Sequence, residues 1–426
     1  MKKLIVICSI MGCVQMAAAA ISDSVMVHDE QTGSSQFVEL PQGMTDDVDS
    51  LLNLWYSKNY LSYVDDCNST GVNPVFSDSV YVDRLSRISA IMEMPYNDVV
   101  RKMIDLYAEK LRYKVSYMLG AMNFYMPIFE EALDLYDIPN ELKYLPVIES
   151  ALNPSAVSRA GASGLWQFIV STGKLYGLHS DSWIDERRDP IKASYAAARY
   201  LKDLHDIYGD WNLVIAAYNC GPGNVNKAMH RAGGIKDYWA IYNYLPRETR
   251  GYVPAFIAAN YIMNYYCEHN ICPMDAQLPA ATDTIVISRE LHLQQVADLC
   301  GVELEQLRAL NPQYKRDVVP GNSRECILRL PCEAIGNFIE LGDSVYNHKA
   351  NEFFKKRKRV EVKSSVASAG KKGAGKGSSI FYHRIKKGET LSTIARKYGV
   401  TVSQLKKWNK LKNTKITAGK RLIIYR

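Results

Sequence analysis

The sequence lacks the motifs of several large enzyme classes. It contains no P-loop, no dinucleotide-binding glycine fingerprint, no Ser-His-Asp order and no His-Glu-x-x-His motif. The eight histidines do not stand at ligand spacing from the cysteines, so we expect no metal site and no cofactor. The chemistry has to be sought in other side chains.

Long hydrophobic runs are also scarce. Beyond the N-terminus no run reaches the roughly 18 to 20 apolar residues of a membrane span. Residues 1–20 combine two lysines, an apolar stretch and small residues, which is typical of a secretory signal peptide and predicts export to the periplasm or cell envelope. We favour cleavage after Ala20. Residues 10–13 also resemble a loose lipobox, in which a lipidated Cys13 would associate with the membrane and could anchor the protein to the outer membrane.

Cysteine is infrequent, and seven of the nine cysteines lie beyond the predicted signal. In an oxidising compartment Cys267 could pair with Cys272, and Cys300 with Cys326 or Cys332, although spacing does not fix connectivity. A zinc site or free buried thiols are the alternatives.

Acidic residues are nearly absent from the C-terminal part of the chain. Residues 351–426 carry 22 Lys or Arg against three Glu, whereas the whole chain has a net charge of +7. Such a tail indicates a polyanionic partner or a solvated linker. For an exported protein the polyanion is better sought in the cell envelope than in nucleic acid.

Composition and periodicity divide the chain into segments. Residues 21–45 have no period and predict a flexible leader, and residues 46–110 predict a helical N-terminal extension. At the end of the extension, and reaching the first residue of the next segment, an apolar stripe recurs at spacings of three and four and predicts one buried helical face: Val100, Met103, Ile104, Tyr107 and Leu111. Residues 111–275 predict an all-helical body.

An internal repeat occupies the C-terminal third. Seven residues of the first unit match residues 98 positions later, six of them identically, among them Leu307 and Asn311, which correspond to Leu405 and Asn409. Each unit predicts a strand, two helices and a strand, over residues 282–332 and 381–426. Residues 350–380 between them are rich in Lys, Gly and Ser and predict a basic linker.

One glutamate stands in an apolar helical segment. Glu149 follows Leu142, Leu145 and Ile148, and loss of hydration should raise its pKa so that it holds a proton near neutrality. Glu149 is therefore a candidate general acid. The nearest other acids belong to a polar cluster at residues 185–189, whose simplest interpretation is mutual pairing with Arg187 and Arg188.

Four segments, taken together and in order, resemble a known family. They are residues 145–154 around Glu149, residues 161–168 with Trp166 and Gln167, residues 217–223 and residues 245–254. The set is similar to the motifs of the lysozyme-like lytic transglycosylases of glycoside hydrolase family 23, and the flanking segments most resemble its membrane-bound members. Residues 381–426 resemble a LysM carbohydrate-binding module, and residues 282–332 a degenerate copy.

The resemblance implies a mainly α fold, with a lysozyme-like helical catalytic domain, a helical N-terminal extension and two small α+β modules of strand-helix-helix-strand order. It implies that Glu149 protonates the bond between N-acetylmuramic acid and N-acetylglucosamine and then accepts the proton of the muramoyl C6 hydroxyl, which leaves a 1,6-anhydro end. Substrate-binding roles fall on Ser158, Gln167, Tyr218, Asn219 and Tyr252. In the LysM module they fall on Gly388, Glu389, Thr390 and Leu391.

The sequence therefore predicts a monomeric, exported transglycosylase that remodels the cell wall and binds peptidoglycan glycan strands, not nucleic acid. Trp166 is expected in the core, and Cys220 has no assigned chemistry. A hydrolytic muramidase using the same cleft and a non-catalytic murein-binding scaffold remain the alternatives.

Overall fold

The computed structural model describes most of the chain. The described residues are 23–28, 33–46, 51, 71–88, 91–274, 278–279, 281–354, 380–385, 389–398, 400–409, 411, 413–414, 416–417 and 419–425. The predicted signal peptide, Cys13, part of the N-terminal extension and most of the basic linker lie outside them. The chain divides into two compact units, Met1–Lys356 and Arg357–Arg426.

The described part of the first unit begins with a hairpin, so the predicted flexible leader is wrong for these residues. Strand β1 (Ser24–His28) pairs antiparallel with β2 (Ser35–Glu39), and helix α1 (Gln42–Thr45) follows. Val27 and Val38 point into the protein core, whereas Met26 and Phe37 point outward. Because each buried aliphatic side chain stabilises the fold by roughly 1.5–3 kcal/mol, this short segment has enough apolar contact to be ordered.

The helical body follows in chain order. Its helices are α2 (Asp78–Ile88), α3 (Asp98–Asp105), α4 (Arg112–Asp134), α5 (Leu145–Ser150), α6 (Val170–Leu175), α7 (Pro190–Tyr208), α8 (Trp211–Cys220), α9 (Pro222–Arg231), α10 (Tyr238–Ile241) and α11 (Arg247–Asn264). A π-helical turn spans Leu106–Lys110, and 3₁₀ turns span Asn140–Tyr144, Tyr242–Tyr244 and Cys267–His269.

Local sequence signals set the ends of these helices. The Asp189 side chain accepts hydrogen bonds from the backbone N–H groups of Ile191 and Lys192, and Pro190 occupies the first turn of α7. Helix α7 ends at Gly209, which has a φ of 67° that other residues rarely adopt. Buried alanines along α7 let its neighbours α4 and α8 approach closely.

One hydrophobic core joins the hairpin, the extension and the body. It runs from Val27 to Met274 and includes the whole predicted stripe from Val100 to Leu111, each residue at most 1% exposed. The N-terminal segments are therefore part of the helical body and share its stability.

A small α+β domain completes the first unit. Strand β3 (Thr282–Ile287) pairs with β6 (Cys326–Pro331), and β4 (Glu290–His292) pairs with β5 (Val318–Pro320). Helices α12 (Leu293–Cys300) and α13 (Leu304–Leu310) lie between the strands, and a 3₁₀ turn spans Lys315–Asp317. Helices α14 (Cys332–Leu341), α15 (Asp343–Asn347) and α16 (Ala350–Phe354) follow. This domain thus extends beyond the expected boundary at residue 332, because Ala334, Phe338 and Val345 share its core, and residues 350–354 are helical where the linker was expected to start.

The helical body contributes a side chain to this domain's core. Ile184 packs among its buried residues, and the neighbouring backbone bonds across the junction, from Lys315 N–H to the Trp183 carbonyl (2.8 Å) and from Asp185 N–H to the Gln313 carbonyl (2.9 Å). Arg324 adds an ion pair to Glu186 at 2.8 Å. The domain is docked on the body through the loop at residues 181–186.

The second unit is a separate module. Strand β7 (Ile380–Arg384) pairs antiparallel with β8 (Arg421–Tyr425), and helices α17 (Leu391–Tyr398) and α18 (Val402–Trp408) lie between them in sequence. Leu391, Ile394, Leu405 and Leu422 form its small core.

The internal repeat is visible in the hydrogen bonds of two asparagines. Asn311 donates to the carbonyls of Leu307 and Arg329 and accepts from Arg329 N–H. Asn409 makes the same three bonds with Leu405 and Ile423. In both units the asparagine therefore joins the second helix to the last strand.

The described cysteines do not follow the expected pairing. Cys267, Cys300, Cys326 and Cys332 are free thiols, as is Cys220. Cys272 is disulfide-bonded whereas Cys267 is a free thiol, so the proposed Cys267 to Cys272 bridge is wrong. Helices long and apolar enough to cross a membrane do not occur in the described part of the chain.

Candidate active site

Glu149 lies at the end of a short helix that is fixed from several directions. Helix α5 begins after the 3₁₀ turn, with Pro146 in its first turn, where the missing N–H costs little. It ends because Ala151 and Leu152 both adopt left-handed backbone angles, with φ of 49° and 60°. Such angles are costly for residues other than glycine and persist only where the surroundings impose them, as at many active sites.

The Glu149 carboxyl group accepts a hydrogen bond from the phenol of Tyr252. The phenol belongs to α11 and bonds to Oε1, and Tyr252 itself is 2% exposed. Burial in this apolar setting raises the pKa of Glu149 to about 7, while the Tyr252 hydrogen bond favours the carboxylate and opposes the rise. Glu149 can therefore hold and release a proton near neutral pH.

Tyr218 faces the same carboxyl group but bonds elsewhere. Its phenol donates to the Trp166 carbonyl at 2.8 Å. Burial first, and then the nearby Glu149 charge, raise the pKa of the Tyr218 phenol well above its usual range. Tyr218 thus contributes a neutral hydroxyl that ties helix α8 to the loop at residues 161–168.

The two polar residues of the preceding motifs bond within their own loop. The Ser158 hydroxyl accepts from Ala162 N–H at 2.9 Å, and the Gln167 amide donates to the Gly164 carbonyl at 2.8 Å. Gln167 Oε1 is buried and has no hydrogen-bond partner among the described residues. Neither side chain donates a hydrogen bond to Glu149. The Oε1 atom of Gln167 is therefore available to accept a hydrogen bond.

Asn219 is exposed and connects two motifs. Its Oδ1 accepts a hydrogen bond from the Thr249 hydroxyl at 2.9 Å, which links α8 to the start of α11. Thr249, a fully buried residue within the fourth motif, had no predicted role. A lone threonine in an arginine-rich segment gave no signal for this role.

Arg187 organises the loop beneath the site. Its guanidinium pairs with Asp185 at 2.7 Å and donates to the carbonyls of Gly161 (2.7 Å) and Phe168 (2.9 Å). Although burial opposes it, the Arg187 charge holds the pKa of Asp185 below its usual range. Gly164 is required here because a methyl group at this position would overlap the Arg187 carbonyl oxygen.

The acidic cluster is therefore structural. Asp185 pairs with Arg187 as expected, whereas Glu186 pairs with Lys192 and Arg324, and Asp189 caps α7. Arg188 departs from the expected pairing and donates to the Ser163 hydroxyl at 3.1 Å. These carboxylates are occupied in holding the loop.

Two further contacts join the loop to its supports. Ser150, next to the acid, donates to the Leu165 carbonyl at 2.9 Å. Trp166 is fully buried, as expected for a core residue, and its indole N–H donates to the Ser194 hydroxyl at 2.9 Å. Within the described residues no three His, Cys, Asp or Glu side chains gather closely enough to hold a metal ion.

The predicted glycan-binding loop of the second unit is only partly described. Gly388 lies outside the described residues. Glu389 bonds to the buried His383 at 2.7 Å, Thr390 caps helix α17 by accepting from Thr393 N–H at 3.2 Å, and Leu391 is 1% exposed. A glycan contact by Leu391 would therefore have to come from its backbone.

Three protein families match segments of the chain. They are the transglycosylase SLT domain over residues 126–240, the LysM-like domain of lytic transglycosylase MltD over residues 281–347, and the LysM domain over residues 383–424. Glu149, Gln167 and Tyr218 lie within the first match, whereas Tyr252 lies beyond it.

Several curated proteins are similar to the chain. Membrane-bound lytic murein transglycosylase D of Escherichia coli (strain K12) is 28% identical over 337 residues, which covers 78% of this chain and 70% of the relative. Soluble lytic murein transglycosylase of the same strain is 32% identical over 124 residues, covering 28% of this chain and 19% of the relative. The solved structure of the 70 kDa soluble lytic transglycosylase from Escherichia coli aligns with 25% identity and a TM-score of 0.31, over 40% of this chain and 30% of that one.

Proposed function

We propose that this chain, a peptidoglycan lytic transglycosylase with an SLT domain, cleaves the β-1,4 bond between N-acetylmuramic acid and N-acetylglucosamine and leaves a 1,6-anhydro end. The observation that carries the proposal is Glu149 with its raised pKa, hydrogen-bonded to Tyr252. A general acid needs a pKa near the working pH, and this pair provides it.

The proposed reaction uses one carboxyl group twice. Protonated Glu149 donates its proton to the glycosidic oxygen as the bond from that oxygen to the muramoyl C1 breaks. The resulting carboxylate then accepts the proton of the muramoyl C6 hydroxyl, whose oxygen forms the new bond to C1. Glu149 ends as it began, and no water is consumed.

The surrounding carboxylates support this single-acid reaction over hydrolysis. Glycosidases that hydrolyse usually need a second carboxylate as base or nucleophile. The three carboxylates of the next segment already have partners. Asp185 pairs with Arg187, Glu186 pairs with Lys192 and Arg324, and Asp189 caps the N-terminus of α7. An internal hydroxyl nucleophile removes the need for another carboxylate.

Substrate contacts are proposed for the polar groups of the loop and helix ends. The unpaired Gln167 Oε1 suits the N–H of an acetamido group, since a buried acceptor without a partner gains most from a donor. Exposed Asn219 and the half-buried Ser158 would contact sugar units of the glycan that are farther from the broken bond.

We further propose that the enzyme acts in the cell envelope as a monomer and remodels the wall. Support comes from the signal-like residues 1–20, the LysM domain, and a relative whose name states membrane binding. We propose cleavage after Ala20, with lipidation of Cys13 as the alternative, since that cleavage would remove Cys13. A tethered module raises the local concentration of glycan at the active site, so weak binding by the module would still increase turnover.

The test is solubilisation of purified sacculi by Glu149→Gln. The variant keeps the size of the side chain but cannot transfer a proton, so we expect loss of at least 100-fold in rate with sacculus binding unchanged. Glu109→Gln, on the surface of the same body, is the matched control and should be fully active. Equal rates for Glu149→Gln and the original chain would refute the role of Glu149, and if neither releases product the scaffold alternative holds.

A further inference from the structure

Two glycines place the N-terminal segment against both helices of the active site. Gly43 of α1 faces α5, where an added methyl group would lie 2.7 Å from the Ile148 carbonyl oxygen and closer still to that of Val147. Gly251 of α11 faces β2, where a methyl group would overlap the Glu39 carbonyl oxygen. Glu149 directly follows Ile148, and Tyr252 directly follows Gly251. The same short segment therefore contacts the backbone beside each partner of the hydrogen bond.

A buried lysine fixes this segment. Lys114 of α4 is fully buried, and its ammonium group donates to the carbonyls of Gly43 (3.2 Å), Met44 (3.0 Å) and Asp46 (2.5 Å). These carbonyls lie at the C-terminal end of α1, where the backbone has acceptors without helical partners and a positive charge is favoured. A buried ammonium group is costly unless it is fully hydrogen-bonded, so its place constrains all three carbonyls.

Apolar side chains complete the attachment. Val38 is 1% exposed and its Cγ1 would be 3.0 Å from a methyl group at Gly251, while Met44 is fully buried. The segment thus has no room to shift without disturbing α5 or α11.

We propose that residues 33–46 form an N-terminal clamp that holds Glu149 against Tyr252, with Gly43, Gly251 and Lys114 as positioning residues. The inference rests on the proposed function of Glu149. The clamp, Lys114 and Tyr252 all lie outside residues 126–240. The segment matched by the SLT family therefore contains Glu149 but lacks several of the residues that position its carboxyl group.

The expected consequence of loosening the clamp is a loss of turnover. A hydrogen bond weakens steeply when donor and acceptor move apart, and small misplacement of a catalytic group can lower the rate about 100-fold. Water would also reach the carboxyl group. Because burial is the larger influence on Glu149, its pKa should fall, with Tyr252 and Tyr218 as the titratable groups that face it.

The experiment measures kcat, KM and the pH profile on soluble glycan strands for Gly43→Ala, Gly251→Ala and Lys114→Met in the full chain. We expect kcat to fall at least 10-fold with KM changed less than about threefold, and the alkaline limb of activity to move to lower pH. Gly336→Ala, where the added methyl group meets nothing within 4 Å, and Lys102→Met, on an exposed helix face, are the controls and should match the original chain.

The clamp is refuted if the three variants fold, as judged by circular dichroism, and keep the original kcat and pH profile. Should they fail to fold, Val38→Ala replaces them, because it only removes methyl groups beside Gly251, and an unchanged kcat and pH profile for it refutes the clamp equally. Glu149→Gln is measured in the same assay. If Glu149→Gln is active the proposed function fails, whereas an inactive Glu149→Gln with normal clamp variants rejects the clamp alone.

Discussion

The phenol of Tyr252 donates a hydrogen bond to Oε1 of Glu149, although the two residues are 103 positions apart in the chain. The bond stabilises the carboxylate, while burial favours the protonated acid. The balance of these opposed influences brings the pKa of Glu149 to about 7, where one group can act first as an acid and then as a base.

Tyr252→Phe should separate the two influences. Removing the hydroxyl takes a hydrogen bond from the carboxylate, so the pKa of Glu149 should rise and the alkaline limb of activity should move to higher pH. A hydrogen bond to a charged group is worth about 1.5–3 kcal/mol, which corresponds to a fall in kcat of about 10- to 100-fold. Tyr195→Phe removes a similar tyrosine-to-glutamate bond, to Glu131, and serves as the control. A limb that stays in place or moves to lower pH would contradict this account.

Glu149→Gln should stabilise the catalytic body at alkaline pH. The folded pKa of about 7 lies above the ordinary value of 4.5, so the folded state binds more protons between these values and its stability falls as pH rises from 4.5 to 7. The loss is on the order of 2–4 kcal/mol above pH 7 and absent below pH 4.5. Thermal unfolding should give the variant a higher Tm at pH 8 and an equal Tm at pH 4. Equal Tm values at both pH values would show that Glu149 is not buried as described.

Arg187→Met should destabilise the loop that carries Gln167. The change removes the main partner of buried Asp185 and leaves it only the more distant Lys315 ammonium group at 3.8 Å; breaking a buried ion pair typically costs about 3–5 kcal/mol. Urea unfolding measures the free energy of unfolding of each variant. The double variant with Asp185→Asn should regain part of the lost stability, because the negative charge of Asp185 is no longer present. If the single and double variants are equally destabilised, the ion pair is not what holds the loop.

Ile184→Ala should weaken the docking of the LysM-like domain on the helical body. Ile184 is 3% exposed inside that domain's core, so the lost methyl groups should cost about 2–4 kcal/mol and increase protease cleavage near residue 280. Ile207→Ala is the control, since Ile207 is 53% exposed on α7 and its truncation should change stability by less than about 0.5 kcal/mol. If protease cleaves both variants equally slowly, the LysM-like domain is held on the helical body by its polar contacts alone.

Sequence patterns predicted the parts of the structure that local chemistry determines. The mainly α fold, the buried stripe from Val100 to Leu111 and the core position of Trp166 are confirmed. The paired roles of Asn311 and Asn409 follow from the repeat, because the same side chain at the same place in two units makes the same three bonds.

The remainder depends on contacts between distant segments. The polar composition of residues 21–45 predicted a flexible leader, although two of their residues, Val27 and Val38, face the core. Lys114 carries a charge that normally predicts exposure, and only the carbonyls at the end of α1 explain its burial. Neither relationship has a signal in the local sequence.

The most direct test of the central claim is the mass of the glycan ends released from purified sacculi by the full chain in ¹⁸O-labelled water. If Glu149 activates the muramoyl C6 hydroxyl, the new ends are anhydro, one water lighter than reducing ends, and free of the label. New reducing ends that carry ¹⁸O would show that water is the nucleophile and would contradict the account.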